Sequence, residues 1–386
     1  MKKALIVASV ASMIDQFNMP NIKLLQNLGY EVHVATNFEQ CGSITSEHAL
    51  VVHQLLLDMG VKVEHVPIPR SIFAVKSIIR SYRSIKKMRL EHEYEIMHCH
   101  SPIGGAISRF AFMTRKGKRQ KNNRVIYTAH GLHFYDGAPL KNWLVFYPVE
   151  KLCAHFTDVL ITINREDYEF AKRKLKAKKV EYVPGVGINV DKFANIEIDK
   201  VAKRTSIGVP SDVNLLLSVG ELNENKNHET VIRAIAKLND KSIHYVIAGK
   251  GHLHDQLLAL ADELGVSEQV HLLGFRRDVA ELYHAADVLV HPSYREGLPV
   301  SVMEAMASGL PVVCSRIRGN VDLIDENGGK LFDPHSIEDC KEAIKNVVSD
   351  KMCEYGKYNC KKAKRYGLDH INEIMESIYK KQSTGR

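Results

Sequence analysis

Short runs of β-branched and aliphatic residues alternate along the first half of the chain with longer segments of helical periodicity. We predict strands at residues 4–8, 30–35 and 159–163, and helices at residues 18–28 and 166–179. Two further apolar runs end near His98 and Thr128 and are also predicted as strands. This alternation predicts a doubly wound α/β domain with a parallel sheet.

The same pattern starts again in the second half. Strands are predicted at residues 214–219, 244–248, 270–273 and 288–290, and helices at residues 228–238, 254–264 and 300–308. An uncharged, Pro- and Gly-rich segment, 183–189, marks a linker between the halves. Because 386 residues exceed one typical core, we predict two Rossmann-like domains, 1–187 and 188–365. A polar helix is predicted over residues 357–381.

The stretch 287–313 predicts a strand, a tight loop, a helix and a second strand. Gly297 and Pro299 interrupt the pattern just before the helix. In such a unit the loop lies at the carboxyl end of the strand, where the free amides of the helix N-terminus attract anions. The candidate amide donors to a phosphate belong to Leu298, Val300 and Ser301.

Two glutamates flank this loop. Glu296 lies in the loop, and Glu304 lies about five residues into the predicted helix, roughly 7 Å along its axis. A carboxylate offers two acceptor oxygens and no donor, so it suits vicinal hydroxyls such as a ribose diol. An anion site between two such carboxylates indicates a sugar nucleotide as the ligand.

The phrase Ser-Tyr-Arg-Glu-Gly-Leu-Pro, which contains Glu296, and the phrase Glu-Ala-Met-Ala-Ser-Gly-Leu-Pro-Val-Val, which begins at Glu304, resemble the signature of retaining glycosyltransferase family 4. The resemblance covers nearly the whole chain. It implies the GT-B architecture, with two domains facing a central cleft and the last helix, 366–386, packing back on the N-terminal domain. An ordinary βαβ turn with solvated carboxylates is the alternative.

The family resemblance also implies roles. It implies transfer of a sugar with retention at the anomeric carbon, with Glu296 on the donor-sugar hydroxyls and Glu304 on the ribose. Two histidines, His100 and His130, each lie just past a predicted strand, at the edge where ligands bind in this architecture. The resemblance places His130 near the donor sugar, and we assign it with Glu296 to catalysis and His100 to the acceptor side. A histidine bonded within a turn is the alternative for each.

The loop after the first predicted strand contains no glycine. Its composition argues against a dinucleotide-binding fingerprint, and it departs from the glycine-containing loop common in the family. Ser9 and Asp15 of this loop are acceptor-side candidates, although Asp15 also suits a helix cap.

The loop that begins at Gly220 resembles the family loop that directs an arginine and a lysine to the donor pyrophosphate. Lys226 matches the lysine, but Glu221 stands where the arginine is expected. We hypothesise that Arg316 or Arg318 supplies the missing positive charge. A solvated arginine pair is the alternative.

The nucleobase is expected at Phe275 and Arg276, where the resemblance places backbone atoms against the uracil edge. The chain has no Asp-any-Asp motif of the kind that holds Mg²⁺ on a sugar diphosphate. The charge of the leaving group is therefore expected to be met by Lys226 and the helix amides. His98, Cys99 and His100 have no second ligand pair at metal spacing. A UDP-sugar donor is predicted, with no metal and no other cofactor.

Charge is uneven along the chain. Residues 1–190 contain 27 Lys and Arg and 16 Asp and Glu, a net charge of +11. Residues 191–386 contain 26 Lys and Arg and 29 Asp and Glu, a net charge of −3, and the formal net charge of the chain is +8. A basic first half suits an anionic partner, such as membrane phospholipid or a lipid-linked pyrophosphate. Nucleic acid is disfavoured because its recognition motifs are absent. The seven cysteines lack Cys-x-x-Cys spacing and indicate reduced thiols in a cytosolic protein.

Membrane contact is suggested by residues 71–90, which predict a basic amphipathic helix whose apolar side could equally pack on the sheet. The basic run 115–121, with Arg124, predicts an exposed loop. No apolar run approaches the roughly 18 residues that span a bilayer. The first twelve residues resemble a short signal peptide, but the strand interpretation fits the following helix and strand better.

Several phrases, including Thr-Ala-His-Gly-Leu-His-Phe-Tyr around His130, resemble bacterial exopolysaccharide and capsule glycosyltransferases. We therefore predict transfer of an N-acetylhexosamine from UDP to a saccharide on undecaprenyl diphosphate, by a cytoplasmic enzyme that is peripheral on the inner face of the cell membrane. One alternative is a UDP-sugar 2-epimerase of the same fold. Another is a secreted, two-lobed solute-binding protein.

Overall fold

The computed structural model describes residues 2–113, 123–349 and 352–381. The chain divides into two compact units, Met1–Val186 with Ile371–Arg386 and Gly187–His370. The domain boundaries predicted from sequence were 187/188 and 365/366. The basic run 115–121 lies outside the described residues.

The N-terminal unit contains a parallel sheet of seven strands among the described residues, in the order β3-β2-β1-β4-β5-β6-β7. Its strands are β1 Lys2–Val7, β2 Tyr30–Thr36, β3 Lys62–His65, β4 Tyr94–His100, β5 Arg124–Ala129, β6 Val159–Thr162 and β7 Lys179–Tyr182. Its helices are α1 Ala11–Phe17, α2 Met19–Asn27, α3 Ser46–Asp58, α4 Val75–Glu91, α5 Pro102–Phe112, α6 Leu140–Ala154 and α7 Arg165–Lys174.

Strand β1 is an interior strand of this sheet. It pairs in parallel with β2 on one side and with β4 on the other. Its residues from Ala4 to Val7 are fully buried, as expected for a parallel strand covered on both faces. The start of the chain is therefore a core strand, in agreement with the strand interpretation.

The second unit repeats the design with six parallel strands among the described residues, in the order β10-β9-β8-β11-β12-β13. Its strands are β8 Asn214–Val219, β9 Ile243–Ala248, β10 Val270–Gly274, β11 Val288–His291, β12 Val312–Ser315 and β13 Gly329–Phe332. Its helices are α8 Val190–Ala194, α9 Lys200–Ser206, α10 His228–Leu238, α11 His254–Glu263, α12 Val279–Ala285, α13 Val300–Ala307, α14 Asn320–Leu323, α15 Ile337–Ser349 and α16 Met352–Ala363. The predicted doubly wound α/β class is confirmed in both units.

Three predicted helices have different bounds in the structure. The predicted helix 18–28 is divided, because Asn18 ends α1 and Pro20 lies in the first turn of α2. The predicted helix 166–179 ends at Lys174, because residues from Lys179 pair with β6 as strand β7. The predicted helix 357–381 is interrupted near Gly367, which forms a parallel bridge with Ile188, and the chain continues as α17 Leu368–Lys380.

Helix α17, from Ile371 onward, belongs to the N-terminal unit. Its Ile371, Met375, Ile378 and Tyr379 are buried in the same core cluster as the residues of β1 and β2. Arg124 Nη1 donates to the carbonyl of Lys381 at 2.6 Å. The prediction that Arg124 lies in an exposed loop is therefore wrong, because this side chain is buried at the start of β5 and holds the end of α17.

Each sheet has one place where the strand order reverses, between β1 and β4 in the first sheet and between β8 and β11 in the second. We call these places switch points. In open parallel sheets, ligands bind beyond the carboxyl ends of the two strands at such a point, because the loops there diverge and leave a crevice. The loops that follow β1, β4, β8 and β11 are therefore the places to examine for function.

A buried ion pair joins α5 to α6. Arg109 Nη1 and Nη2 donate to the two carboxylate oxygens of Glu150 at 2.6 and 2.8 Å. Arg109 Nε donates to the carbonyl of Gly105 at 3.0 Å, and the guanidinium lies 3.8 Å from the ring centroid of Tyr127. Each of the three nitrogens of this buried cation thereby donates a hydrogen bond.

Arg109→Met should lower the free energy of unfolding by about 3–5 kcal/mol, because it leaves the Glu150 carboxylate buried without a counter-charge. Urea unfolding followed by circular dichroism measures the change. Adding Glu150→Leu should recover most of the loss, since an apolar pair needs no compensation. The matched control is Lys87→Met, which breaks an exposed pair with Glu91 and should cost about 0.5 kcal/mol or less. Equal losses in the two single variants would contradict this account.

Candidate active site

The switch point of the second unit brings together the loop after β8 and the loop after β11. Asn225 Nδ2 donates to the carbonyl of Arg295 at 3.0 Å, and the amide of Tyr294 donates to the carbonyl of Asn225 at 2.8 Å. Asn227 has a left-handed backbone, with φ of 53°, and its Nδ2 donates to the carbonyl of Pro292 at 3.1 Å. The two loops therefore form one hydrogen-bonded surface.

Lys226 and Glu296 form the ion pair at the centre of this surface. Lys226 Nζ lies 2.7 Å from Glu296 Oε1, and His291 Nε2 lies 3.2 Å from the same oxygen. Burial by itself would raise the pKa of Glu296, but the hydrogen bond from His291 and the Lys226 charge outweigh it and hold the pKa well below its usual range. Glu296 is therefore a carboxylate at neutral pH, and His291 Nε2 carries the proton that it donates.

Glycines allow the backbone segments of the site to approach closely. A Cβ on Gly249 would lie 1.7 Å from the carbonyl oxygen of Gly220, and a Cβ on Gly319 would lie 2.5 Å from that of Gly297. Gly319 also has φ of +84°, which disfavours any other residue. Gly220 itself lies beside the Lys226 side chain. The predicted residues Gly220 and Gly297 are thus held in place by a second glycine each.

Helix α13 begins directly after the Glu296 loop. Its N-cap is Pro299, which makes no side-chain cap hydrogen bond, and the amide of Met303 donates to the carbonyl of Pro299 at 3.4 Å. The amides of Val300 and Ser301 belong to the first turn of the helix, where no intrahelical acceptor is available to them. The structure therefore places the predicted amides at a helix N-terminus that favours an anion. Leu298, the third predicted donor, is buried in the preceding loop.

Arg318 and Arg316 occupy different positions. Arg318 is buried, and its Nε donates to the carbonyl of Glu296 at 3.3 Å. Arg316 is exposed, and its Nη2 donates to the carbonyl of Leu331 at 3.2 Å. Of the two arginines considered for the missing charge, Arg318 is the one in hydrogen-bond contact with the Glu296 loop.

Glu304, on α13, has a different environment. Tyr283 Oη, which is buried, donates to Glu304 Oε2 at 3.0 Å. Burial raises the pKa of Glu304 to about 7, although the Tyr283 hydrogen bond and the charge of Lys192 act in the opposite direction. Near neutral pH this carboxyl exchanges readily between its protonated and ionised forms.

The predicted nucleobase residues follow strand β10. Phe275 is 65% exposed. Arg276 Nε donates to Asp278 Oδ1 at 2.8 Å, and its Nη2 lies 2.5 Å from Asp278 Oδ2. The Arg276 side chain is thus held in a partly exposed ion pair with Asp278.

In the N-terminal unit, three histidines lie at the ends of β4 and β5. His100 Nδ1 is 3.0 Å from His130 Nε2. His98 is hydrogen-bonded to Tyr379 Oη and Thr128 Oγ1, both at 2.8 Å. Burial lowers the pKa of His98 to about 3 and of His130 to about 4, so the imidazoles are neutral at pH 7. The structure brings the predicted residues His100 and His130 into direct contact.

Ser9 and Ser101 follow β1 and β4, at the switch point of the first sheet, and their hydroxyl oxygens are 2.5 Å apart. Ser101 has φ of 64°, an uncommon conformation for a residue other than glycine. Asp15 lies inside α1, 3.0 Å from His48 Nε2. The prediction that Asp15 caps a helix is therefore wrong, because α1 starts at Ala11 and includes Asp15.

Sequence reasoning missed His291, Tyr283 and Asn227. His291 ends strand β11 as His100 ends β4, so the rule that selected His100 and His130 could also have selected it. No local signal marks Tyr283, because its contact with Glu304 joins α12 to α13 through tertiary packing. Among the described residues, no group of three or more His, Cys, Asp or Glu side chains is arranged to hold a metal ion.

Comparison with known proteins defines the class. A family model described as "Glycosyl transferase 4-like" matches residues 6–164, and one described as "Glycosyl transferases group 1" matches residues 199–366. The chain belongs to the group 1 glycosyltransferases, and it is therefore a transferase. The resemblance to glycosyltransferase family 4 is confirmed, and this membership decides against a solute-binding protein.

Two curated relatives extend over nearly the whole chain. The putative glycosyltransferase EpsD of Bacillus subtilis is 35% identical over 385 residues, which cover 98% of this chain and 96% of that protein. The UDP-Gal:alpha-D-GlcNAc-diphosphoundecaprenol alpha-1,3-galactosyltransferase of Escherichia coli is 26% identical, covering 94% of this chain and 91% of that protein.

Solved structures agree on the fold. The crystal structure of Anabaena Alr3699/HepE in complex with UDP is similar with a TM-score of 0.76, at 17% identity, over 98% of this chain and 99% of that chain. The crystal structure of WaaG, a glycosyltransferase involved in lipopolysaccharide biosynthesis, has a TM-score of 0.72 at 20% identity, over 99% of this chain and 100% of that chain. The predicted GT-B fold class is confirmed.

The raised pKa of Glu304 predicts a dependence of stability on pH. The folded value, about 7, lies above the ordinary value of 4.5, so the folded state binds this proton more tightly than the unfolded state does. The proton on Glu304 therefore stabilises the folded state by roughly 3 kcal/mol below pH 4.5. This stabilisation is lost as the pH rises to about 7.

The wild type should therefore lose stability as the pH rises from about 4.5 to about 7.5, whereas Glu304→Gln has no proton to lose at this position. The free energy of unfolding of Glu304→Gln, relative to that of the wild type, should increase by up to roughly 3 kcal/mol over this range. Urea unfolding at a series of pH values measures this difference. Glu326→Gln, at an exposed position, is the control and should follow the wild type. Parallel pH curves for Glu304→Gln and the wild type would show that Glu304 ionises normally.

Proposed function

We propose that this enzyme transfers an N-acetylhexosamine from a UDP-sugar to a saccharide linked to undecaprenyl diphosphate, with retention at the anomeric carbon, in exopolysaccharide biosynthesis. The observation that carries the proposal is the Lys226–Glu296 pair beside the N-terminus of α13, at the switch point of the second sheet. It combines a cation, free amides and a carboxylate in one place, which is what a sugar diphosphate requires.

In the proposed complex the diphosphate binds Lys226 and the amides of the 297–301 segment. The Glu296 carboxylate accepts hydrogen bonds from the donor-sugar hydroxyls, and Glu304 accepts them from the ribose. When the bond between sugar and phosphate breaks, negative charge grows on the leaving UDP. In this scheme Lys226 and the helix amides, which the fold holds in place, meet that charge and stabilise the transition state with little reorganisation. No metal takes part in this scheme.

The acceptor is assigned to the N-terminal unit, at Ser9 and His100 near the switch point of its sheet. Two observations support a lipid-linked acceptor. The E. coli relative is named for a diphosphoundecaprenol substrate. The first 190 residues carry a net charge of +11, which suits an anionic lipid surface. We place the enzyme in the cytoplasm, on the inner face of the cell membrane. Among the described residues, no helix is both long and apolar enough to cross a bilayer.

The direct test is a panel of UDP-sugars, each incubated with purified enzyme and a lipid-linked saccharide acceptor. With UDP-N-acetylhexosamine as the donor, we expect release of UDP and formation of an elongated product. NMR should show that the transferred sugar has the same anomeric configuration in the product as in the donor. An inverted product would exclude retention. Formation of an epimerised UDP-sugar without acceptor would favour the 2-epimerase alternative and contradict the transfer reaction.

Arg318 is proposed as the cation that replaces the arginine missing at Glu221. Arg318→Gln keeps a hydrogen-bonding side chain but removes the charge, so the donor KM should rise and kcat should fall, with kcat/KM lower by about tenfold or more. Arg316→Gln, two positions earlier and exposed, is the matched control and should change neither constant. Unchanged donor KM and turnover in Arg318→Gln would remove Arg318 from the site.

A further inference from the structure

An apolar groove of about 180 Å³ lies in the N-terminal unit between the segment before α4, helix α5 and helix α6. Side chains that form its wall are Ile78, Ile103, Ala106, Phe110, Phe146 and Val149. Among the described lining residues the one carboxylate, Glu150, is already bonded to Arg109. Apart from His133 and Tyr127, the other described side chains of the lining offer carbon surface to a ligand.

Exposed apolar side chains continue from the groove onto the surface. Phe73 is 86% exposed, and Leu140 and Leu144 on α6 are 73% and 69% exposed. Large side chains of this kind rarely cluster on the surface of a protein without a partner. Exposed cations, Lys76 on α4 and Lys141 on α6, lie within the same segments. Apolar residues accompanied by lysines are typical of a surface that meets anionic lipid.

The other end of the groove reaches the edge of the sheet. Its lining there includes Pro102, just after β4, and Gly131 and Leu132, just after β5. Pro102 lies two residues after His100, and Gly131 directly follows His130; we assign both histidines to the site. The groove thus leads from an exposed apolar surface to the strand ends that carry the candidate acceptor residues.

We propose that this groove binds the first isoprene unit of the acceptor's polyprenyl chain, next to its diphosphate. The inference rests on the proposed function, and it adds a binding site for the lipid part of the substrate. A dry cavity of about 150 Å³ lined by aliphatic and aromatic side chains accommodates benzene, so the groove has room for a five-carbon unit. A single turn of helix, about 10 Å across and about 5.4 Å long, fills roughly 400 Å³, which is more than the groove holds and argues against a helical partner segment.

The test compares two acceptors that carry the same saccharide diphosphate, one on a farnesyl chain and one on a propyl chain. Ala106→Phe fills the groove, so it should raise the KM for the farnesyl acceptor by about tenfold or more. It should leave kcat and the KM for the propyl acceptor unchanged. Val149→Asp, at a partly exposed position, places a charge in the groove and should act in the same direction. Ala202→Phe, at an exposed position of α9, is the matched control and should behave as the wild type.

A second measurement needs no turnover. Farnesyl diphosphate carrying a diazirine on its first isoprene unit should label peptides from α5 and α6 on illumination, and Ala106→Phe should abolish this labelling. Labelling of α5 and α6 without any sugar transfer would contradict the proposed function but would still support the groove as a binding site for the isoprene unit. Transfer with equal KM values for both acceptors, and labelling elsewhere, would overturn the groove assignment alone. A change of oligomeric state in Ala106→Phe, seen by sedimentation, would instead identify the groove as a contact between copies of the chain.

Discussion

The contact between Lys226 and Glu296 is the interaction on which the second unit's site depends. A carboxylate that is largely removed from water must have a counter-charge or hydrogen-bond donors, or it becomes protonated. Lys226 supplies the charge from the loop after β8, and His291 supplies a donor from the end of β11. Because the two partners come from different strands, the pair also joins the two loops at the switch point. The pair therefore holds both loops of the site in one arrangement.

The close backbone approach at Gly249 and Gly319 makes this pairing geometrically available. Each glycine lies where a Cβ would overlap a carbonyl of the neighbouring loop. The loops after β8 and β11 are thus supported from behind by the loops after β9 and β12. A site supported in this way loses little entropy on binding, since its side chains and amides are already ordered.

The two glutamates that flank the α13 N-terminus differ in their protonation. Glu296 has a cation and a hydrogen-bond donor, so it remains ionised. For Glu304 the tyrosine hydroxyl and the charge of Lys192 do not outweigh burial, so its pKa is raised to about 7. The same side chain can therefore act as a fixed acceptor in one position and as a group that ionises near neutral pH in the other. Environment, and not residue type, makes this distinction.

In the N-terminal unit the polar and apolar features are separated. At the strand ends, the neutral imidazole of His98 is hydrogen-bonded to Thr128 and Tyr379, and that of His100 is hydrogen-bonded to His130. Helices α5 and α6 leave an apolar groove in the same unit. Tyr379 reaches His98 from α17, at the far end of the chain. The orientation of the His98 ring thus depends on a residue that lies 281 positions further along the chain.

Much of this protein was determined by its sequence alone. The alternation of short apolar runs with helical segments is set by local periodicity, so it predicted both parallel sheets, and the Gly and Pro spacing around Glu296 and Glu304 predicted an anion site at the start of α13. Local pattern also failed where packing overrides propensity, as at Lys179, which continues into a strand because β6 offers a partner edge. Only the tertiary structure decided that Lys226 neutralises Glu296, that Tyr283 binds Glu304, and that α5 and α6 enclose an apolar groove. The physical reason is that these contacts join residues far apart in the chain, and their charges and burial exist only once the sheets have formed.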